Sequence, residues 1–189
     1  MAGLDRIRPG QTANAPFSLN RERFLVSCDT IQFEPETYEL SISRAARPAG
    51  SPPEALQFWV HSRQFPGAHD QWDGNWLNVT VHCGEGGASV WATGPILDTI
   101  GVLRFRDELE RLHRTLSGEA ALESHEPNVV VRVAVTDDAG HLRVRVEITP
   151  DHLAQGHWFE FEIDQSYLPA AVAQLESVLV AFPVRGTSG

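Results

Sequence analysis

Between Val102 and Gly118 the apolar residues fall at Val102, Phe105, Leu109, Leu112 and Leu116. They recur three and four positions apart, which puts them on one stripe of a helix. The opposite face carries Arg104, Arg106, Asp107, Glu108, Glu110, Arg111 and Arg114. Asp107 with Arg111 and Glu110 with Arg114 stand four apart, acid first, the order that supports a helix slightly. Asp98 or Thr99 suits the N-cap, and Gly118 suits the turn just past the end. Such a helix must bury its stripe on something, and nearly everything around it has the period of a strand.

Thr37 to Ser43 alternates, with Tyr38, Leu40 and Ile42 on one side. Leu56 to Ser62 does the same with Leu56, Phe58 and Val60. Trp76 to Cys83 sends Leu77, Val79, Val81 and Cys83 one way and Asn78, Thr80 and His82 the other. Gly84-Glu85-Gly86-Gly87 reads as a hairpin turn, Ala88 to Thr93 as the returning strand, and Gly94-Pro95 as its end. Beyond the helix, Glu119 to Ser124 is a short strand or an extended link. Asn128 to Thr136, His141 to Thr149 and His157 to Ile163 all alternate, and Asp137 to Gly140 has turn chemistry. Phe24 to Cys28 is a further short apolar run. A second helix follows, capped by Ser166 with Pro169 in its first turn and a stripe of Leu168, Val172, Leu175, Leu179 and Phe182. Half-polar strands joined by short turns imply an α+β fold. About eight strands form an antiparallel sheet or sandwich, and the two amphipathic helices pack on one antiparallel sheet. Residues 1–20 are expected to be a flexible tail, 21–184 a single domain and 185–189 a second tail.

No apolar run is long enough to cross a bilayer, and no secretory leader is evident, so a cytoplasmic location is expected. The formal charge is −10, and every one of the 15 basic residues is arginine. An acidic chain speaks against direct nucleic-acid binding and for a basic or neutral partner. Cys28 and Cys83, the only cysteines, read as small buried apolar residues.

Motif chemistry is sparse. Gly84 to Gly87 lies between two strands, not before a helix, so it lacks the context of a phosphate loop. His61, His69, Asp70, Asp73, His82 and Cys83 are the densest group of potential ligands. However, His82 and Cys83 face opposite sides of one strand, and no HExxH or paired-Cys spacing occurs. No G-x-S-x-G elbow is present. Glu160, Glu162 and Asp164 alternate along a strand and its exit, as a solvated face would. Trp91 and Trp158 stand on faces that are otherwise polar. An aromatic among outward acids is the make-up of a partner site.

Three tracts carry a resemblance. They are Gly74-Asn75-Trp76-Leu77-Asn78-Val79, the helix from Leu109-Glu110-Arg111-Leu112 through Leu116-Ser117-Gly118-Glu119-Ala120, and the end from Asp164-Gln165-Ser166-Tyr167-Leu168-Pro169 to Ala181-Phe182-Pro183-Val184-Arg185. Over about residues 73–186 the chain resembles the WapI-like immunity proteins of bacteria, whose role is to neutralise polymorphic toxins, including toxins that cut tRNA. The resemblance implies a non-enzymatic protein without cofactor that binds a cognate, basic, nuclease-type toxin domain. It transfers no catalytic residue. On the residues themselves, Trp158, Glu160, Glu162 and Asp164 are the candidate partner-binding set. One alternative is a small-molecule-binding module with a pocket lined by Trp59, Trp76 and Phe161. The other is a metal-dependent enzyme gathering three of His61, His69, Asp70, His82, His141 and His157.

Overall fold

The computed structural model describes residues 38–43, 55–126, 128–137, 139–151 and 153–186. The expected N-terminal tail, the Phe24–Cys28 run and residues 187–189 lie outside these. Among the described residues the elements are β1 (Tyr38–Ser43), β2 (Ala55–Arg63), β3 (Trp76–Glu85), β4 (Ala88–Asp98), α1 (Thr99–Thr115), β5 (Glu119–Glu123), β6 (Val129–Val135), β7 (His141–Ile148), β8 (Trp158–Asp164) and α2 (Leu168–Ala181).

The helix foreseen from its stripe starts directly where β4 ends. Asp98 is the N-cap, and its Oδ1 accepts the amide hydrogens of Ile100 at 2.9 Å and Gly101 at 2.8 Å. Val102, Phe105, Leu109 and Leu112 are all buried. The helix closes earlier than Gly118: Leu116 takes the left-handed conformation (φ 47°) and returns its amide to Leu112 O at 2.8 Å. Gly118 (φ 90°) then turns the chain into β5.

The strands form two antiparallel sheets, β1-β2-β3-β4 and β5-β6-β7-β8, each in sequence order. Their inner faces supply one hydrophobic cluster, Leu56, Phe58, Val79 and Val81 from the first sheet and Val131, Val144, Val146 and Phe161 from the second. This realises the α+β expectation as two sheets around a shared core, with strand alternation deciding which side chains enter it. The β3–β4 turn is the glycine-rich tract. Glu85 pairs with Ala88, so Gly86 and Gly87 alone make the loop, both at positive φ (59° and 89°) as a two-residue hairpin demands.

Two sequence expectations shift. Strand β4 does not stop at Gly94-Pro95 but continues to Asp98, with a register irregularity at Leu77/Asn78 opposite Pro95. β4 is an edge strand, and an edge tolerates a residue that cannot donate. The second helix is not capped by Ser166. Instead Asp164 accepts the Ser166 amide at 2.8 Å and caps a short 3-10 turn, Gln165–Tyr167, that runs into α2. The buried face of α2 is Leu168, Ala171, Leu175 and Val178, with Val172, Leu179 and Phe182 at its margin.

The helices do not share one sheet. They pack on each other, and α1 lies against β5 and α2 against β1. Each also satisfies a sheet edge. Gln174 Oε1 accepts the amide of Ser41 in β1 at 2.9 Å. Glu108 Oε2 accepts the amide of Ala121 in β5 at 2.8 Å, and Arg111 Nη2 donates to Glu119 O at 3.1 Å. An uncovered edge is a template for unwanted pairing; here the polar faces of the two helices occupy two of the four edges.

Candidate partner-binding surface

In β7 and β8 every second residue is in the core, which leaves His141, Arg143, Arg145 and Glu147 beside Trp158, Glu160, Glu162 and Asp164 on the outer face of the second sheet. The register sets Glu147 opposite Trp158, Arg145 opposite Glu160, Arg143 opposite Glu162 and His141 opposite Asp164. The four candidate residues therefore form one continuous row along the last strand.

The row is less uniformly acidic than its own sequence indicates. Glu160 lies 3.5 Å from Arg143 Nε and 3.9 Å from Arg145 Nη1, and Arg145 Nε reaches Glu147 at 3.2 Å. The Arg145 guanidinium also sits over the Trp158 ring, 5.1 Å from its centroid. Trp158 is 62% exposed, so it presents most of its ring to solvent while an arginine fixes its orientation. Farther in, Arg132 pairs with Glu119 at 3.1 Å and with Glu123. The outer face thus has arginines on its two central strands and acids along both margins. Glu162 takes no ion-pair partner among the described residues. Asp164 is held below its ordinary value by the Ser166 amide and hydroxyl and stays charged as a cap. At the end of the row His141 Nδ1 bonds Asp137 Oδ2 at 2.7 Å, which raises the imidazole above its usual value.

Sequence alternation identified the acids and the tryptophan. It missed that Arg143 and Arg145 lie next to them, because that depends on the β7–β8 register. The signal was present as the outward Arg143 and Arg145 facing outward Glu160 and Glu162 across the 149–157 loop.

The other aromatic residues fall elsewhere. Trp91, 40% exposed, stacks on His82 (centroids 4.2 Å apart) and on Trp59 (5.5 Å) outside the first sheet. Trp76 lines a groove of about 290 Å³ with Trp72, Asn75, Asp98, Ile100 and His125. Phe161 is in the core. Trp59, Trp76 and Phe161 therefore do not converge on one pocket, which corrects the pocket composition read from sequence.

The histidines do not converge either: among the described residues no three of His, Cys, Asp or Glu could hold one metal ion. His61 Nε2 bonds Thr80 at 2.9 Å, and His82 bonds Gln57 at 3.2 Å and Ser89 at 2.8 Å. Burial lowers the pKa of both. Cys83 is a free, buried core thiol, pushed up to about 12 chiefly by desolvation. No helix among the described residues is long and apolar enough to cross a membrane.

The tracts that carry the resemblance turn out to hold the fold together. Asn75 is buried, and its side chain donates to Gln71 O (2.7 Å) and Arg185 O (3.0 Å). Its Oδ1 accepts from the Arg185 amide (2.9 Å) and the Thr99 hydroxyl (2.5 Å). One side chain thus ties the loop before β3, the start of α1 and the chain beyond α2. Arg63 does similar work, donating to Gly74 O and Pro183 O. Among curated proteins none matches the sequence. A family model, that of the Immunity protein WapI-like family, matches residues 49–183. The matched span begins earlier than the resembling tracts and takes in β2.

Proposed function

Because this chain belongs to the WapI-like immunity protein family, we propose that it works by binding a cognate toxin domain and blocking it, without catalysis of its own, in the cytoplasm of the cell it protects. The family match is the observation that carries this reading. The physical make-up of the chain supports the finer statement that the toxin domain is basic and of nuclease type. A domain that handles nucleic acid presents a basic surface, and a chain of net charge −10 attracts such a surface at long range. The row Trp158, Glu160, Glu162 and Asp164 is the proposed contact, an exposed aromatic anchor flanked by acids.

The test is rescue. Cells expressing the toxin domain encoded beside this chain are expected to die, and to survive when this chain is expressed with it. Equal death with and without the chain would overturn the reading. A Trp158→Ala variant is expected to protect less well at equal protein level. Full protection by that variant, with unchanged binding, would move the contact away from β8.

A further inference from the structure

Among the described residues the four sheet edges are treated differently, and β8 is the one with neither a helix against it nor a proline in it. α2 packs against β1 and α1 against β5, and one amide of each strand, Ser41 and Ala121, is taken by a helix side chain. β4 is interrupted by Pro95, which has no N–H to offer, and by the register shift beside it. β8 has no proline, no bulge and no helix on it, and among the described residues it pairs with β7 alone.

The ladder shows which backbone groups that edge presents. Ile148 N donates to His157 O at 3.0 Å and Gln165 N donates to Gly140 O at 3.0 Å. Both pairs are of the hydrogen-bonded kind, and in an antiparallel ladder that kind recurs every second residue. Phe159, Phe161 and Ile163 therefore spend their backbone groups on β7. The N–H and C=O groups of Trp158, Glu160 and Glu162 point outward, away from the sheet. The residues whose side chains make the acidic row are the same ones whose main chain is free.

We infer that β8 is a docking edge for strand addition: an extended segment of the toxin domain, basic at every second position, pairs with the outward main chain of Trp158, Glu160 and Glu162. This rests on the toxin-binding reading and specifies how that contact is made. Main-chain bonds supply affinity in such an arrangement, and alternate side chains supply selectivity. Residues of the added strand that share the outer face would meet Trp158, Glu160, Glu162 and Asp164, where Glu162 makes no ion pair among the described residues. Residues on the other side would continue the apolar line of Phe159, Phe161 and Ile163. A second copy of this chain is a poor occupant, because two β8 edges would set acids against acids, and like charges directly opposite destabilise a pair.

Amide hydrogen exchange of the full chain reads this without any substitution. The probe is the purified toxin domain encoded beside this chain. Free, the amides of Glu160 and Glu162 are expected to exchange fast and that of Phe161 slowly. In the complex, Glu160 and Glu162 are expected to slow by about tenfold or more as they enter a ladder. Binding without added protection at those two amides would overturn strand addition and leave the immunity reading standing. If the toxin domain does not bind at all, both fall. Protection that rises with the concentration of this chain alone would assign the edge to self-association and overturn the proposal.

Glu162→Pro gives a second readout. The lost N–H is an outward one, so the β7 ladder stays intact. Affinity is expected to fall about tenfold or more for the proline, against about threefold for Glu162→Gln, which loses only the charge. Equal losses in two folded variants would show that the main chain takes no part.

Discussion

Asn75 illustrates how much one side chain can decide. Its amide fills all of its donor and acceptor roles from three separate parts of the chain. Asn75→Ala would strand the Thr99 hydroxyl and the Arg185 backbone without partners, at a cost of about 1–3 kcal/mol for each group left buried. Chemical denaturation is expected to show a total loss of about 2–4 kcal/mol; a midpoint within error of the parent would mean that Asn75 is not a knot. Sequence reading placed Asn75 in a family tract but gave it no role, because the partners are far away in the chain. Cys83, by contrast, was legible: alternation put it inward, and it is buried. Because its thiol is pushed up to about 12, it is expected to stay unmodified by a thiol reagent at pH 8 in the folded protein. Modification at the rate of an exposed thiol would contradict the buried position.

His141 carries the pH dependence nearest the candidate surface. Its hydrogen bond to Asp137 favours the charged imidazole and raises its folded pKa above the ordinary histidine value. A raised histidine contributes its stabilisation in full below the unfolded value and loses it as pH rises through the folded value. NMR titration is expected to show His141 titrating above free histidine, and Asp137→Asn is expected to bring it back down. An unchanged midpoint in that variant would show that Asp137 is not the cause.

At the scale of elements, the local patterns were readable and their assembly was not. Stripe periodicity found α1, and period-2 alternation found most of the described strands, while β4 is read as the return of a hairpin and β5 as a short strand or extended link. Leu109 is fully buried, so Leu109→Ala is expected to cost about 2–5 kcal/mol. An unfolding midpoint unchanged by it would show an exposed stripe. Periodicity says that a helix face is buried but not on what. The pairing of α1 with β5 and α2 with β1 depends on sheet order, which alternation does not encode. Capping followed the same logic. Asp98 was one of two residues named for α1, whereas Ser166 lost its role to Asp164, because an acid two residues earlier can start a 3-10 turn before the helix proper. The sheet register also changes what a charge reversal does. Glu160 neighbours Arg143 and Arg145, so Glu160→Arg would place three like charges together and is expected to lower stability. Glu162→Arg breaks no ion pair among the described residues but faces Arg143 across the ladder, so its binding is to be compared with that of the neutral Glu162→Gln in variants shown to be folded.

For the whole molecule, the proposed contact joins acidity to the β8 edge: long-range attraction would bring a basic partner close, and the edge strand would then fix it. The association rate with the toxin domain is therefore expected to fall as salt rises, and Glu162→Arg is expected to slow association and flatten that dependence. A rate indifferent to both salt and the reversal would remove electrostatics from the account. The candidate row was legible in the sequence as acids and a tryptophan on one strand face, while its arginine neighbours and its free main chain appear only with the register. The central claim is that this chain neutralises a toxin by occupying it. The most direct measurement titrates purified chain into the purified toxin domain encoded beside it and follows the toxin's own activity. The account predicts that activity falls linearly and is abolished near one equivalent; activity that persists at a large excess of this chain would contradict it.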